Sequence, residues 1–304
     1  MPRETEPAAA FQHFCTTHPL KQAALQDTTW RYIDCGRGRP TLLLIHGLVG
    51  DATGFSRIVE SLEREYRVIA PTVPSLDTMD DICRGLAGVL AREQVSRVVL
   101  FGASWGGMVA QGFLHRYAEQ VEAVILADTA GPNSAMARLN ARQRRVLGLL
   151  PWRLGRSLFR RAIKHLQKVP GELSEAQEAE LGFHRSRLDA RIAGLSKERL
   201  LAHSRAAHDF LADIGHLSAY RRGWTGSVLI LRSSDDPSLS ETDAAHALKE
   251  LYPSAHVVTL SGAGHLGLIL RRDEYLREIR SFLAELPSDA APSAMSAVEK
   301  EVAR

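Results

Sequence analysis

The chain has 304 residues, 45 % hydrophobic and 24 % charged, with a formal net charge of +3, an ordinary balance for a soluble globular protein. No run approaches the roughly 18 apolar residues of a membrane helix, and Met1 to Ala10 lacks the apolar centre of a secretory leader. The three cysteines, Cys15, Cys35 and Cys83, are too few for a disulfide scaffold and have no metal-ligand spacing, which predicts a cytoplasmic, reducing setting and no bound metal.

In chain order, residues 1–27 read as an N-terminal arm of undefined structure. Strands then alternate with helices from Trp30 to Gly131. Thr41–Ile45 is a buried strand ending in His46-Gly47-Leu48. Tyr66–Ala70 is a strand stopped by Pro71, and Asp77–Arg92 is a helix. Val98–Phe101 is a strand, Gly107–Gln120 a helix and Val121–Asp128 a strand. This alternation predicts a mostly parallel sheet with crossover helices on both faces.

From 132 to 224 the pattern is helical without a strand signal, which predicts a helical cap inserted into the sheet domain. The sheet resumes with Ser227–Leu231 and His256–Leu260, joined and followed by helices over Glu241–Tyr252 and Asp273–Leu286. The predicted core therefore covers 28–131 and 225–287. Residues 288–304, rich in Ala, Ser and Pro, read as a flexible tail.

The informative motif is Gly102-Ala103-Ser104-Trp105-Gly106, a G-x-S-x-G between a strand and a helix. In that context the serine occupies a sharp turn that lifts its hydroxyl off the sheet, and the glycines admit the neighbouring backbones. The motif alone arises by chance about 0.1 times in a chain of this length. Its companions decide the matter. His46-Gly47-Leu48 follows an upstream strand, Asp235-Asp236 follows a strand downstream, and His265 follows the last strand in Gly262-Ala263-Gly264-His265. Three chemically distinct groups thus fall just past strand C-termini, where open α/β sheets collect ligands.

The roles follow from residue type. Ser104 is the expected nucleophile and His265 its general base, singled out because it follows the final strand in Gly-x-Gly-His, whereas His256 opens that strand and His246 lies on a helix. Asp236 is the expected partner of the imidazole, with Asp235 as the rival acid. The backbone N–H groups of Leu48 and Trp105 are expected to form an oxyanion hole. His46 and Gly47 brace that loop, while Gly102 and Gly106 serve the turn. Gly262-x-Gly264-x-x-Gly267 also fits a dinucleotide fingerprint literally. Only one helix and a tail follow it, so no second βαβ half can form, and no nicotinamide or other cofactor is expected.

From Asn133 to Gly171 there are ten Lys/Arg and no Asp/Glu, so the rest of the chain carries −7. Residues 153–168 are amphipathic at helical period. Leu154, Leu158, Phe159, Ala162, Ile163 and Leu166 fall on one side, and Arg153, Arg156, Arg160, Arg161, Lys164 and Lys168 on the other. The plain expectation is a lid helix over the pocket with a solvated basic face. The sharper one is docking to an anionic lipid layer, a coenzyme or carrier phosphate, or an acidic protein. No nucleic-acid-binding motif is present.

Over about residues 28 to 287 the chain resembles α/β-hydrolase-fold serine hydrolases. Within them it is similar to the maspardin-like branch, through Trp30–Gly36, Tyr66–Ala70, Leu100–Ser104 and Leu251–Pro253, and through Pro71–Thr78 in place of the usual glycine-rich loop. That branch lacks the triad histidine and implies an interaction protein; this chain departs from it by keeping His46-Gly47 and His265. The same resemblance places the branch's shared aspartate on Asp235. The expected function is hydrolysis of an ester or thioester through an acyl-enzyme at Ser104. A non-catalytic adaptor and a lyase-type enzyme on the same scaffold are the alternatives.

Overall fold

The computed structural model describes residues 7–25, 27–213, 223–238 and 244–287. One sheet contains β1 (Lys21–Leu25), β2 (Thr28–Cys35), β3 (Thr41–Ile45), β4 (Arg67–Thr72), β5 (Val98–Ala103), β6 (Val121–Ala127), β7 (Ser227–Ser233) and β8 (His256–Leu260). The spatial order is β1-β2-β4-β3-β5-β6-β7-β8. β2 pairs antiparallel with both β1 and β4; every neighbouring pair from β4 to β8 is parallel. This is the α/β-hydrolase architecture.

Central strands are buried on both faces, which is why they read as unbroken apolar runs. Their side chains alternate between two cores. Leu43, Ile45, Leu100 and Val124 face one, under α3 (Met79–Arg92) and α4 (Trp105–Arg116). Leu42, Leu44, Val99 and Phe101 face the other, under α2 (Ser56–Leu62) and α11 (Arg272–Ala284). Because β3 and β5 to β8 run parallel, their C-terminal ends share one rim.

Among the described residues, four helices lie between β6 and β7: α5 (Ser134–Leu149), α6 (Trp152–Leu166), α7 (Glu175–Gly194) and α8 (Lys197–Ala212). α6 does not bury its whole apolar stripe. Phe159 packs inward, but Leu154 and Leu158 are 50 % and 46 % exposed. The stripe is wider than the surface it covers, so its outer edge faces solvent.

Two elements differ from the sequence expectation. The arm holds α1 (Pro7–Thr17) and the edge strand β1. Lys-Gln-Ala-Ala-Leu has little strand character of its own; β2 supplies the pairing, from Lys21↔Tyr32 to Leu25↔Thr28. β4 also runs past Pro71, because β2 still pairs through Arg31↔Thr72. The start of the helix expected from Glu241, the end of the expected cap (214–222) and the tail (288–304) lie outside the described residues; α9 covers Ala244–Leu251.

Candidate active site

β5 ends at Ala103, and the backbone turns at Ser104 with φ 54° and ψ −123° before α4 begins at Trp105. That left-handed conformation is unfavourable for a residue with a Cβ and persists only where its surroundings fix it. Here three hydrogen bonds do so. The Ser104 N–H donates to the Ala127 carbonyl (2.9 Å), and the Ser104 carbonyl accepts from the Gly107 N–H (2.9 Å) and the Thr129 hydroxyl (2.6 Å). A Cβ on Gly106 would stand 2.0 Å from the Ile45 carbonyl oxygen, so only glycine lets α4 approach β3 this closely.

The imidazole arrives from the other end of the sheet. β8 leads into a turn in which Gly262 and Gly264 have φ of 80° and 55°. Asp235 fastens that turn: its carboxylate accepts from the Gly262 N–H at 2.7 Å and the Gly264 N–H at 3.0 Å. The next residue does something different. Asp236 accepts from His265 Nδ1 at 2.6 Å, and its second oxygen accepts from the Ser238 N–H (2.8 Å) and hydroxyl (2.7 Å). With Nδ1 carrying the proton, Nε2 is left as the acceptor, 2.9 Å from Ser104 Oγ. The two adjacent aspartates are thus separated by function: one shapes the loop, the other meets the ring.

Charge follows the same geometry. Burial alone would lower the His265 pKa, but the Asp236 hydrogen bond and charge, helped by Asp128, reverse this and hold it above the ordinary value. Burial likewise opposes ionisation of Asp236, and the bonds from His265 and Ser238 outweigh it, leaving its carboxyl below the usual range. At neutral pH the second group is a carboxylate aimed at the ring.

His46 follows β3 and is buried. Its Nδ1 donates to the Gly47 carbonyl (2.7 Å) and its Nε2 accepts from the Val73 N–H (3.0 Å). Burial pushes its pKa down to about 3, so the ring is a neutral strut between two loops. Leu48, on the loop His46 holds, lines the same cavity as Ser104 and Trp105. Trp105 is the first residue of α4, where the N–H has no partner inside the helix and the helix dipole favours negative charge. The Trp105 side chain points away: its indole N–H donates to the His203 carbonyl (3.1 Å) and the two rings stack at 4.5 Å.

Sequence reasoning missed three neighbours. Asp128 follows β6 with φ 45° and is buried; it accepts from the Ser233 N–H (3.1 Å) and the Tyr275 hydroxyl (3.3 Å). Burial pushes its carboxyl up to about 7. Its signal was available, since it stands just past a strand end as Ser104 does. Ser238 and Thr129 had none: their value depends on which oxygen a short side chain reaches.

The cavity beside Ser104 and His265 has a volume of about 540 Å³ and extends under α5, α6 and α7. That size suits a small-molecule ligand. Among the described residues, one group offers metal-ligand chemistry, His18, Cys35 and Glu63, whose ligand atoms lie within 4.8 Å of one another. It sits beside α1 and α2, and its His18 Nε2 already donates to Glu63 at 2.7 Å.

A sequence model of the alpha/beta hydrolase family matches residues 42–278, which contain the Ser104 turn and the loops of Asp236 and His265. The chain belongs to the alpha/beta hydrolase family. Within it, the chain is 36 % identical over 118 residues to a 2-hydroxy-6-oxononadienedioate/2-hydroxy-6-oxononatrienedioate hydrolase of Burkholderia vietnamiensis, covering 34 % of this chain and 41 % of that protein. The hydrolase of the same name from Escherichia coli K12 is 31 % identical over 130 residues, covering 35 % of this chain and 45 % of that protein. The match thus spans less than half the length of these relatives. Among solved structures, an enol-lactonase of Burkholderia xenovorans superposes with a TM-score of 0.69 at 19 % identity, over 87 % of this chain and 100 % of that one. An esterase of Thermogutta terrifontis does so with 0.67 at 22 % identity, over 88 % and 99 %. These likenesses establish the alpha/beta hydrolase fold. No helix among the described residues is long and apolar enough to cross a membrane.

Proposed function

We propose that this chain is a serine hydrolase that cleaves carboxylic esters or thioesters through an acyl-enzyme at Ser104. The observation that carries the reading is the continuous relay from Ser104 Oγ to His265 (2.9 Å) to Asp236 (2.6 Å) on the wall of a ligand-sized cavity.

In this reading His265 Nε2 takes the hydroxyl proton as Ser104 Oγ forms a bond to the carbonyl carbon. The carbonyl π pair moves onto oxygen, which the N–H groups of Leu48 and Trp105 stabilise; one such donor is worth roughly 3 kcal/mol of barrier. Collapse breaks the bond to the leaving group, which departs with the proton held by His265. Water then repeats the sequence and releases the acid and free Ser104. Asp236 stabilises the imidazolium in both halves. No step needs a cofactor.

Helices α5 to α8 act as the cap and the acyl group occupies the cavity beneath them. The outer edge of α6 is the candidate contact for an anionic lipid layer or carrier: Leu154 and Leu158 are exposed there beside the cationic residues. Three free cysteines suit a reducing cytoplasm. Maspardin-like ancestry remains compatible with this reading, His265 being the departure that would keep the serine reactive; the adaptor alternative gives the relay no task. The test is hydrolysis of p-nitrophenyl butyrate and octanoate by wild type and Ser104→Ala. Turnover that Ser104→Ala reduces by at least about 10³-fold supports the proposal; turnover that survives the substitution contradicts it.

A further inference from the structure

A helix that roofs an apolar cavity normally turns an apolar stripe toward it. α7 does not. Its cavity face presents Glu180, His184, Arg187 and Arg191, interleaved with Phe183 and Leu188. Arg57 and Arg272 join them from α2 and α11.

Three of these four arginines meet carboxylates. Asp51 is taken by Arg191, through Nε at 2.8 Å and Nη2 at 2.6 Å. Glu180 is shared between Arg57 at 2.9 Å and Arg272 at 3.6 Å, and each has a second carboxylate, Glu60 at 3.8 Å and Asp273 at 3.4 Å. Among the described residues, Arg187 has no carboxylate partner. One nitrogen donates to the Thr53 hydroxyl at 2.7 Å, and the guanidinium lies over the Phe11 ring with 3.5 Å to its centroid. Both terminal nitrogens also reach the Thr53 carbonyl at 3.4 Å, and the Phe183 ring lies 5.8 Å from the guanidinium carbon. Burial, then Arg191, pushes its pKa down to about 10, so it stays charged at neutral pH. Burial and the same arginines push His184 down to about 4, so that ring lines the wall as a neutral hydrogen-bonding group. Arg199 adds another partly buried cation behind Asp51, bonded among the described residues to the carbonyls of Gly50 (3.2 Å) and Val73 (3.4 Å).

Arg187 is half-buried, and a partly desolvated guanidinium with an unused donor favours an anionic partner. The position of this one is set by the chain. Gly47 packs against Ser104, at 3.6 Å from a Cβ built on Gly47 to that of Ser104. Asp51, which anchors Arg191, is four residues further on. Four residues span at most about 14 Å, and here they turn back through a Gly50 N–H to Gly47 carbonyl bond of 2.8 Å. The positive wall is therefore within one medium-length chain of the Ser104 hydroxyl. Leu48, Val49, Leu147 and Leu188 supply apolar lining between them.

We infer that the substrate carries a carboxylate at the end of its acyl chain remote from the scissile bond, and that Arg187, with Arg191 behind it, binds that carboxylate. This rests on the serine hydrolase reading and names its substrate class: half esters or half thioesters of medium-chain dicarboxylic acids.

The test compares four p-nitrophenyl esters on the whole protein: hydrogen adipate and hydrogen suberate against hexanoate and octanoate of matched length. The expected result is a kcat/KM roughly 10-fold or more higher for the half esters, a preference that Arg187→Gln collapses and 0.5 M salt weakens. Equal rates, or preference for the neutral esters, overturn the inference while leaving the serine hydrolase reading intact. Preference for p-nitrophenyl 6-aminohexanoate overturns it too, because Glu180 would then dominate the wall. Calorimetric titration with suberate needs no turnover and keeps the two readings separable: saturable binding to wild type that Arg187→Gln weakens at least 10-fold supports the anion site even if no ester is cleaved, and no binding contradicts it. A folded Arg187→Lys variant that keeps intermediate suberate affinity supports a charge contact over a packing role.

Discussion

Replacing Asp128 by Asn should stabilise the protein, increasingly so as the pH rises above about 4. The carboxyl is buried and displaced from the ordinary 3.8 to about 7. At roughly 1.4 kcal/mol per pH unit, keeping it ionised in the fold costs about 4 kcal/mol once the pH exceeds 7. The sign follows from which state holds the proton. Well below pH 3.8, folded and unfolded chains are both protonated and nothing is lost. As pH rises to 7 the unfolded state releases its proton first, so wild-type stability falls; above 7 the deficit is constant. Asparagine escapes this loss and keeps an oxygen to accept from the Ser233 N–H and the Tyr275 hydroxyl. It also tolerates the φ of 45° at least as well as aspartate.

For a chain of 304 residues, about 4 kcal/mol corresponds to roughly 6 °C in Tm. Calorimetric melts should show Asp128→Asn about 6 °C above wild type at pH 8 and within about 1 °C of it at pH 4. A second readout is independent of stability. Asp128 helps hold the His265 pKa up, so the acid limb of kcat/KM should move to lower pH in the variant. A Tm difference that does not change with pH, or a variant less stable than wild type at pH 8, would refute the reasoning.

Three further outcomes are expected. Asp236→Asn should lower kcat by roughly 10³–10⁴-fold with little change in melting, because the ring loses its anionic partner; Asp235→Asn should instead act through the loop, lowering Tm while residual activity stays well above that of Asp236→Asn, so equal kinetic losses would contradict the division of labour between them. Wild-type kcat/KM should fall on the acid side with an apparent pKa above the ordinary 6.5 of histidine, since the proposed mechanism uses neutral His265 as the base; a limb below 6.5 in a pH titration would count against it. Gly106→Ala should cost more than about 3 kcal/mol or abolish folding in denaturant melts, because the new methyl would meet the Ile45 carbonyl at 2.0 Å.

Much of the fold was legible because the central strands are buried on both faces. Thr41–Ile45 and Val98–Phe101 need no neighbour to declare themselves. β1 was not legible: Lys21–Leu25 is a strand only because β2 lies beside it. At the site, Ser104 and His265 could be picked out by standing just past strand ends. The offset from the strand end favours Asp236 over Asp235 but leaves the rivalry open, since it depends on a turn that sends one carboxylate to the Gly262 and Gly264 amides and the other to the ring. The α7 arginines were invisible for a different reason. Helical periodicity identifies a face, but which cavity it roofs is decided by how the helix packs.

The central claim is that the Ser104 hydroxyl is a nucleophile. Intact-mass measurement after incubation with a fluorophosphonate, followed by peptide mapping, tests it most directly. The account predicts a single adduct on the peptide containing Ser104, absent in Ser104→Ala and slowed at least about 10³-fold in a folded His265→Ala. A folded wild-type protein that stays at its native mass, or an adduct on another residue, would contradict it.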